Sequence, residues 1–200
     1  MARIYTRTGD GGETSLIGGS RTGKADVRVD LYGEADELNC ALGLAAAFLA
    51  RADDARPDLA ARAAHLGAEL AAIQSALFDL GAVLADPERC EDLARADADV
   101  PGVDTALLER GIDRFEAELP VLKAFVLPGG GEAGAALHAA RAVSRRLERR
   151  AVAASREIAL PASALRWLNR LSDWLFMAAR WINAATDATE TPWRPARGED

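Results

Sequence analysis

The sequence predicts an all-α protein, a five-helix bundle preceded by a glycine-rich segment. Three observations carry this. Half of the 200 residues are hydrophobic while only 6% are aromatic, and alanine is conspicuously frequent. That balance favours closely packed helices, because alanine is the best helix former and sheets draw on β-branched and aromatic residues. Five stretches repeat apolar residues with helical spacing, and the segments between them are rich in proline, glycine and charge.

The elements follow in order. Residues 1–25, with "TRTGDGGETSLIGG" from Thr6 to Gly19, lack helical periodicity and fit equally a loop built to hold phosphates and a flexible entry into the first helix. A first helix runs from about Asp26 to Ala50 through "VRVDLYGEADELNCALGLAAAFLA". A second starts at Pro57, a good first-turn residue, and ends near Ala85. The polar stretch "DPERCEDLARADADVPG" reads as a loop, and a third helix spans Val103 to Pro120. After the loop "KAFVLPGGGEAG", a fourth helix covers Ala133 to Ser155, and a fifth follows Pro161 to about Ala188. One domain thus spans residues 1–190, with 191–200 expected to be a mobile tail.

Charge and composition exclude several functions. A net charge of −7 does not suit a general nucleic-acid binder. Cys40 and Cys90 form no CxxC pair and only two histidines are present, so no zinc or iron–sulfur framework is expected. The start "MARIYTRTGDG" has no apolar signal core, and no window of about 18 apolar residues is seen, so a cytoplasmic protein without membrane partners is expected.

Against this acidic background the fourth helix is unusual. Five of the ten residues from Arg141 to Arg150 are arginine. At 100° per residue, His138, Arg141, Arg145 and Glu148 fall on a stripe about 80° wide. Ala136, Ala140, Val143, Leu147 and Ala151 occupy the opposite side, and Arg146, Arg149 and Arg150 spread further round. Composition alone allows a solvated charged face with Arg145 and Glu148 as a pair. The alternative is an anionic ligand, since two unit charges about 4 Å apart interact by roughly 4 kcal/mol at an effective dielectric near 20. On the fifth helix Arg166, Asn169, Arg170, Asp173 and Arg180 share one side, with an Arg170–Asp173 ion pair as the plain reading. On the first, Asp36 and Asn39 lie beside Gly33, Cys40 and Gly43, small residues that admit a close neighbour. "GGSRTGKA" falls short of a Walker loop, because Ala25 stands where the Mg²⁺-binding hydroxyl belongs and no βαβ pattern surrounds it. His138 reads as a packing or hydrogen-bonding residue ahead of a metal ligand or general base.

Four segments together resemble the PduO-type ATP:cob(I)alamin adenosyltransferases: "YTRTGDGGETSLIGG", "KADVRVDLYGEADELNCALG", "FVLPGGGEAGAALHAARAVSRRLERR" and "LNRLSDWLFMAAR". They occur in the family's order and cover every expected element except the second and third helices. Cys40, where the family often has serine, and Ser144, where cysteine is common, are small departures. The resemblance implies a ferritin-like five-helix bundle of the cobalamin adenosyltransferase type, assembled as a homotrimer with sites between subunits. It implies transfer of the 5′-deoxyadenosyl group of ATP to the cobalt of cob(I)alamin, with release of triphosphate and Mg²⁺ held mainly by the phosphates. Thr6, Arg7, Thr8, Gly9, Asp10, Gly12, Thr14, Lys24 and Arg28 would hold the ATP phosphates. Arg141, Arg145, Glu148, Asn169 and Arg170 would line the nucleotide and reaction site, and Asp36 would pair with Arg141 across the interface. Phe125 would press on the corrin and exclude the lower axial ligand, with Asp173 near the same side. A corrinoid reductase and an adenosylcobalamin-dependent mutase are the implied partners. A carrier that delivers the corrinoid to a mutase without turnover is the alternative, and a di-iron bundle is disfavoured because no paired Glu-x-x-His ligands are present.

Overall fold

A computed structural model of the chain describes residues 5, 7–51 and 56–195. The glycine-rich segment is more ordered than a loop. Strands β1 (Glu13–Ser15) and β2 (Arg21–Gly23) pair antiparallel, with Thr14 opposite Thr22. At the turn between them Leu16 is buried, and the Ile17 N–H donates to the Ala85 carbonyl at 2.8 Å.

Helix α1 (Val27–Leu49) starts at Asp26, whose carboxylate accepts from the Arg28 N–H at 2.8 Å and from the Thr22 hydroxyl at 2.7 Å. The Thr22 bond first, and then the backbone N–H, hold the Asp26 carboxyl below the usual range. Then come α2 (Pro57–Leu84), α3 (Pro87–Arg95), α4 (Thr105–Glu118), α5 (Glu132–Ala154) and α6 (Ala162–Ala185). The five expected helices correspond to α1, α2, α4, α5 and α6. The extra helix, α3, lies within the stretch expected as a loop. Asp86 caps it and Pro87 opens it; Cys90 is buried and Leu93, one turn on, packs half-buried against the core. Two inward residues one turn apart are too short a repeat for a periodicity argument to find.

Helices α1, α2, α5 and α6 pack into a four-helix group; α4 lies on α6 and α3 on α2. The core is built of Leu31, Leu38, Leu42, Leu66, Leu70, Leu77, Leu137, Leu147, Leu171 and Leu175, each worth about 1.5–3 kcal/mol of apolar burial. Between α4 and α6, Phe115 meets Trp174 edge-on at 5.7 Å and Trp181 at 5.2 Å. Gly111 makes this possible, since a Cβ there would sit 2.8 Å from Trp174 Cδ1. Helix α2 is long and apolar enough to cross a membrane by length and composition, unlike the expectation from sequence. Its character comes from alanines outside the stripe Leu59, Leu66, Leu70, Ile73, Leu77 and Leu80, which packs into the core.

Candidate active site

Two groups of expected site residues come together separately. In the N-terminal group, Arg7 has a left-handed backbone (φ 62°) and its guanidinium lies 5.5 Å from the Tyr5 ring centroid. The Thr8 carbonyl accepts from Arg21 at 2.8 Å, and the same arginine meets Glu13 at 3.0 Å. Lys24 folds over Gly9, with Nζ 3.5 Å from where a Cβ would stand, and its N–H donates to the Gly12 carbonyl at 2.8 Å. Asp10 is exposed beside Arg7, its N–H reaching the Arg7 carbonyl at 3.4 Å; Thr14 lies half-buried in β1. Thr6 lies outside the described residues. Arg28 departs from this group. It is 6% exposed and its guanidinium reaches the Leu84 carbonyl at 3.4 Å and the Cys90 thiol. That guanidinium caps the carboxyl end of α2, so its position gives no support to the expected phosphate role.

The second group lies along α5 and α6. The arginines of α5 divide by partner. Arg146 Nε donates to Glu34 at 2.6 Å and its terminal nitrogen to Glu37; Arg150 bonds Asp30 and, at 3.1 Å, Glu34. These ion pairs tie α5 to α1. Arg141, Arg145 and Arg149 have no ion pair among the described residues; Arg149 is exposed, whereas Arg141 Nε is buried with no hydrogen-bond partner. Burial first, and then the Arg145 charge, make the Arg141 guanidinium easier to deprotonate than usual. Uncompensated positive charge therefore runs along α5 from Arg141, and at Arg141 it is partly buried.

Beside it, Asn169 of α6 donates to Glu148 Oε1 at 2.8 Å, which leaves its amide oxygen as an acceptor. His138 is 3% exposed and packs on Phe176 at 5.9 Å, so the charged stripe is not wholly solvated as its spacing suggested. The reason is that α5 is flanked by both α1 and α6 and buries a wider arc than a one-sided surface helix. Burial and then Arg141 push the His138 pKa down, with Glu190 pulling the other way, and its Nδ1 has no partner. Arg170, expected at the reaction site, is bound instead to Glu109 of α4 at 3.2 Å and to Asp173 at 2.9 Å. Those bonds, Glu109 first, hold it protonated and leave Asp173 paired.

Phe125 is 73% exposed, in the loop between α4 and α5. The tail, expected to be mobile, pairs with this loop: Leu127 N–H donates to Thr191 O at 2.9 Å and Trp193 N–H to Phe125 O at 2.7 Å. The Trp193 ring stands edge-on to Phe125 at 6.5 Å. Arg180, assigned from spacing to the polar face, is 5% exposed because the loop and tail cover that end of α6. Asn183 is 1% exposed and clamps the glycine run, donating to Gly129 O at 3.0 Å and accepting from Gly131 N–H at 3.1 Å. Any Cβ on Gly130 (φ 99°) or Gly134 would collide with it. Asn183 and Glu190 were not singled out from the sequence, and neither was the burial of Arg180; for Arg180 and Asn183 the available signal was two polar residues set among Trp181, Ile182 and the alanines of "AARWINAA".

Asp36 is exposed on α1, lining a surface hollow with Tyr32, Gly33, Leu77 and Phe78. The bonds of Arg21 stay within the N-terminal group, and those of Arg146 and Arg150 run from α5 to α1. Among the described residues no group of three or more His, Cys, Asp and Glu side chains is placed to hold a metal ion.

A bundle with an unpaired arginine turn, a glycine-rich hairpin and an exposed aromatic loop has counterparts of known identity. Residues 4–182 match the family model for cobalamin adenosyltransferase. Over 182 residues the chain is 44% identical to a corrinoid adenosyltransferase of Bacillus subtilis, covering 91% of this chain and 87% of that one. It is 46% identical to one of Citrobacter freundii over 180 residues, 90% of this chain and 94% of the relative. A variant PduO-type ATP:corrinoid adenosyltransferase from Lactobacillus reuteri, solved with cobalamin and ATP, superposes with a TM-score of 0.82 at 35% identity, covering 96% of this chain and all of that one. The chain belongs to the cobalamin adenosyltransferase family.

Proposed function

We infer that this chain transfers the 5′-deoxyadenosyl group of ATP to the cobalt of a corrinoid, releasing triphosphate. The observation that carries the reading is the division of the α5 arginines: Arg146 and Arg150 have carboxylates, while Arg141 and Arg145 are left for an external anion. Cob(I)alamin, as substrate, is itself the nucleophile. Its electron pair forms the bond to C5′, and the C5′–O pair departs with the triphosphate. The protein then has two tasks, to align C5′ with cobalt and to stabilise the leaving charge with groups already in place. Arg141 and Arg145 serve the second task, with Lys24 and the backbone of residues 7–12. The Asn169–Glu148 pair orients the nucleotide. Mg²⁺ supplies further charge neutralisation on the phosphates; the side chains described here build no cage for it. Phe125 faces the corrin and keeps a lower axial donor away, which favours the Co(I) state.

Asp36 and Arg141 each stand without an ion pair among the described residues, and this supports an assembly in which one subunit's α1 meets another's α5. Exposed Phe78, beside Asp36 in the same surface hollow, is apolar surface that a second copy would cover. A homotrimer in the cytoplasm, with Asp36 of one subunit opposite Arg141 of the next, is the arrangement proposed. A reductase that makes Co(I) and a mutase that uses the product complete the sequence.

The test is anaerobic incubation of cob(I)alamin with ATP and Mg²⁺, with light scattering on the same sample. Adenosylcobalamin and intact triphosphate in equal amounts are expected from a trimer. ADP and phosphate as products would refute the reaction, and ATP binding without turnover would favour the delivery protein instead.

A further inference from the structure

The loop that carries Phe125 is held at three points. Its start, Pro120 O, accepts from the Arg180 guanidinium at 3.3 Å. Its middle pairs with the tail through Leu127–Thr191 and Trp193–Phe125. Its end is clamped by Asn183. Among the described residues the tail's charged anchor is Glu190, whose Oε2 accepts from Arg180 Nε at 3.3 Å. Arg180 therefore holds the start of the loop directly and its middle through Glu190. An arginine with 5% exposure among Trp181 and Ala179 is costly to desolvate unless such partners exist. Its chain neighbours Ala179 and Trp181 are apolar and buried, and neither Arg180 nor Glu190 lies on the exposed arginine turn. Glu190 Oε1 and His138 Nδ1 are both buried without partners, and the Glu190 charge acts on His138, so the anchor sits against the α5 stripe as well.

We propose that Arg180, acting through Glu190 and Pro120, is a positioning residue that sets where Phe125 stands over the corrin. The proposal rests on the reading of Phe125 given above. It assigns the tail a share in corrin binding, because residues 191–193 pair with the Phe125 loop and Glu190 anchors them.

Three variants test it in the full chain. Glu190→Ala releases the tail; Arg180→Met combined with Glu190→Ala releases it without leaving a buried unpaired charge; Phe125→Ala is the control. The readouts are separate KM values for ATP and corrinoid, and the nitrogen splitting in the EPR spectrum of bound cob(II)alamin, which reports an axial donor. Losing a charge-assisted hydrogen bond should raise corrinoid KM about tenfold or more. ATP KM should stay within about twofold, and the spectrum should move toward the form with axial nitrogen, as for Phe125→Ala. If Phe125→Ala shifts the spectrum and the double variant does not, the role of Arg180 is refuted and that of Phe125 stands. If both KM values rise together, Arg180 is merely structural and the proposal falls. If Phe125→Ala itself leaves the spectrum unchanged, the reading of Phe125 fails and the proposal with it.

Discussion

Replacing Arg145 by alanine should separate activity from stability, because its neighbour Arg146 is tied to carboxylates while Arg145 has no ion pair among the described residues. Its side chain is exposed, no ion pair holds it among the described residues, and the charge acting on it within the helix is that of Arg141. Truncation removes a like-charge repulsion, so stability should stay within about 0.5 kcal/mol, the range of surface changes that touch no special feature. For a chain of this length that is a Tm change of about 2 °C or less. The loss at the transition state is larger. Removing one preorganised group from a site of developing negative charge costs roughly 3–4 kcal/mol, or about 100- to 1,000-fold in kcat. Arg146→Ala, one position along, makes the contrast. Arg146 is tied to Glu34 and Glu37, so its loss should lower Tm and leave kcat/KM within a few-fold. Anaerobic turnover and thermal unfolding measured on both variants decide the matter. Equal activity losses, or an Arg145→Ala Tm drop as large as that of Arg146→Ala, would refute the division of the α5 arginines by partner.

Gly111→Ala should cost about 1–3 kcal/mol by overpacking, since the new Cβ meets the Trp174 ring; urea denaturation reads it, and a near-neutral result would show that α4 can slide on α6. Asn183→Leu should destabilise the loop before α5 by leaving the Gly131 N–H and Gly129 O unpaired, at about 1–3 kcal/mol, and hydrogen exchange at Gly131 should rise first. His138, buried with a lowered pKa, binds protons more readily unfolded than folded. Its stabilising contribution is complete above about pH 6.5 and declines on acidification toward its folded pKa, so His138→Gln should flatten that part of the stability–pH curve. A slope that persists unchanged in the variant would place the titration elsewhere.

The five long helices were legible because each repeats its apolar residues over at least three turns. α3 was not, with only Cys90 and Leu93 facing inward, and neither was the hairpin, whose three-residue strands "ETS" and "RTG" carry no apolar alternation. At the site, the arginine cluster could be seen but its division could not. Glu34, which neutralises Arg146, lies 112 positions away in sequence, and only the packing of α1 on α5 brings them together. Arg28 and Arg180 escaped for a related reason. Helical spacing places a residue on a face, whereas burial depends on what else covers that face: the end of α2 for one, the loop and tail for the other. Phe125 could be located by its motif, but not its pairing with Trp193, since main-chain bonds between distant coils leave no mark on either segment.

The docked turn of the β-hairpin makes it a lever with its pivot at the wrong end for a lid. Leu16 and Ile17 pin the tip to the last turn of α2, while residues 7–12 sit at the opposite, open end. Drawing those residues inward around a ligand swings a short rod about a fixed point and asks nothing of the helical core. The ordering entropy of roughly 1–2 kcal/mol per residue then falls on the handful of positions beyond the strands. On the proposed role of residues 7–12 in holding the phosphates, changes there would alter nucleotide capture and leave the core's packing as it is.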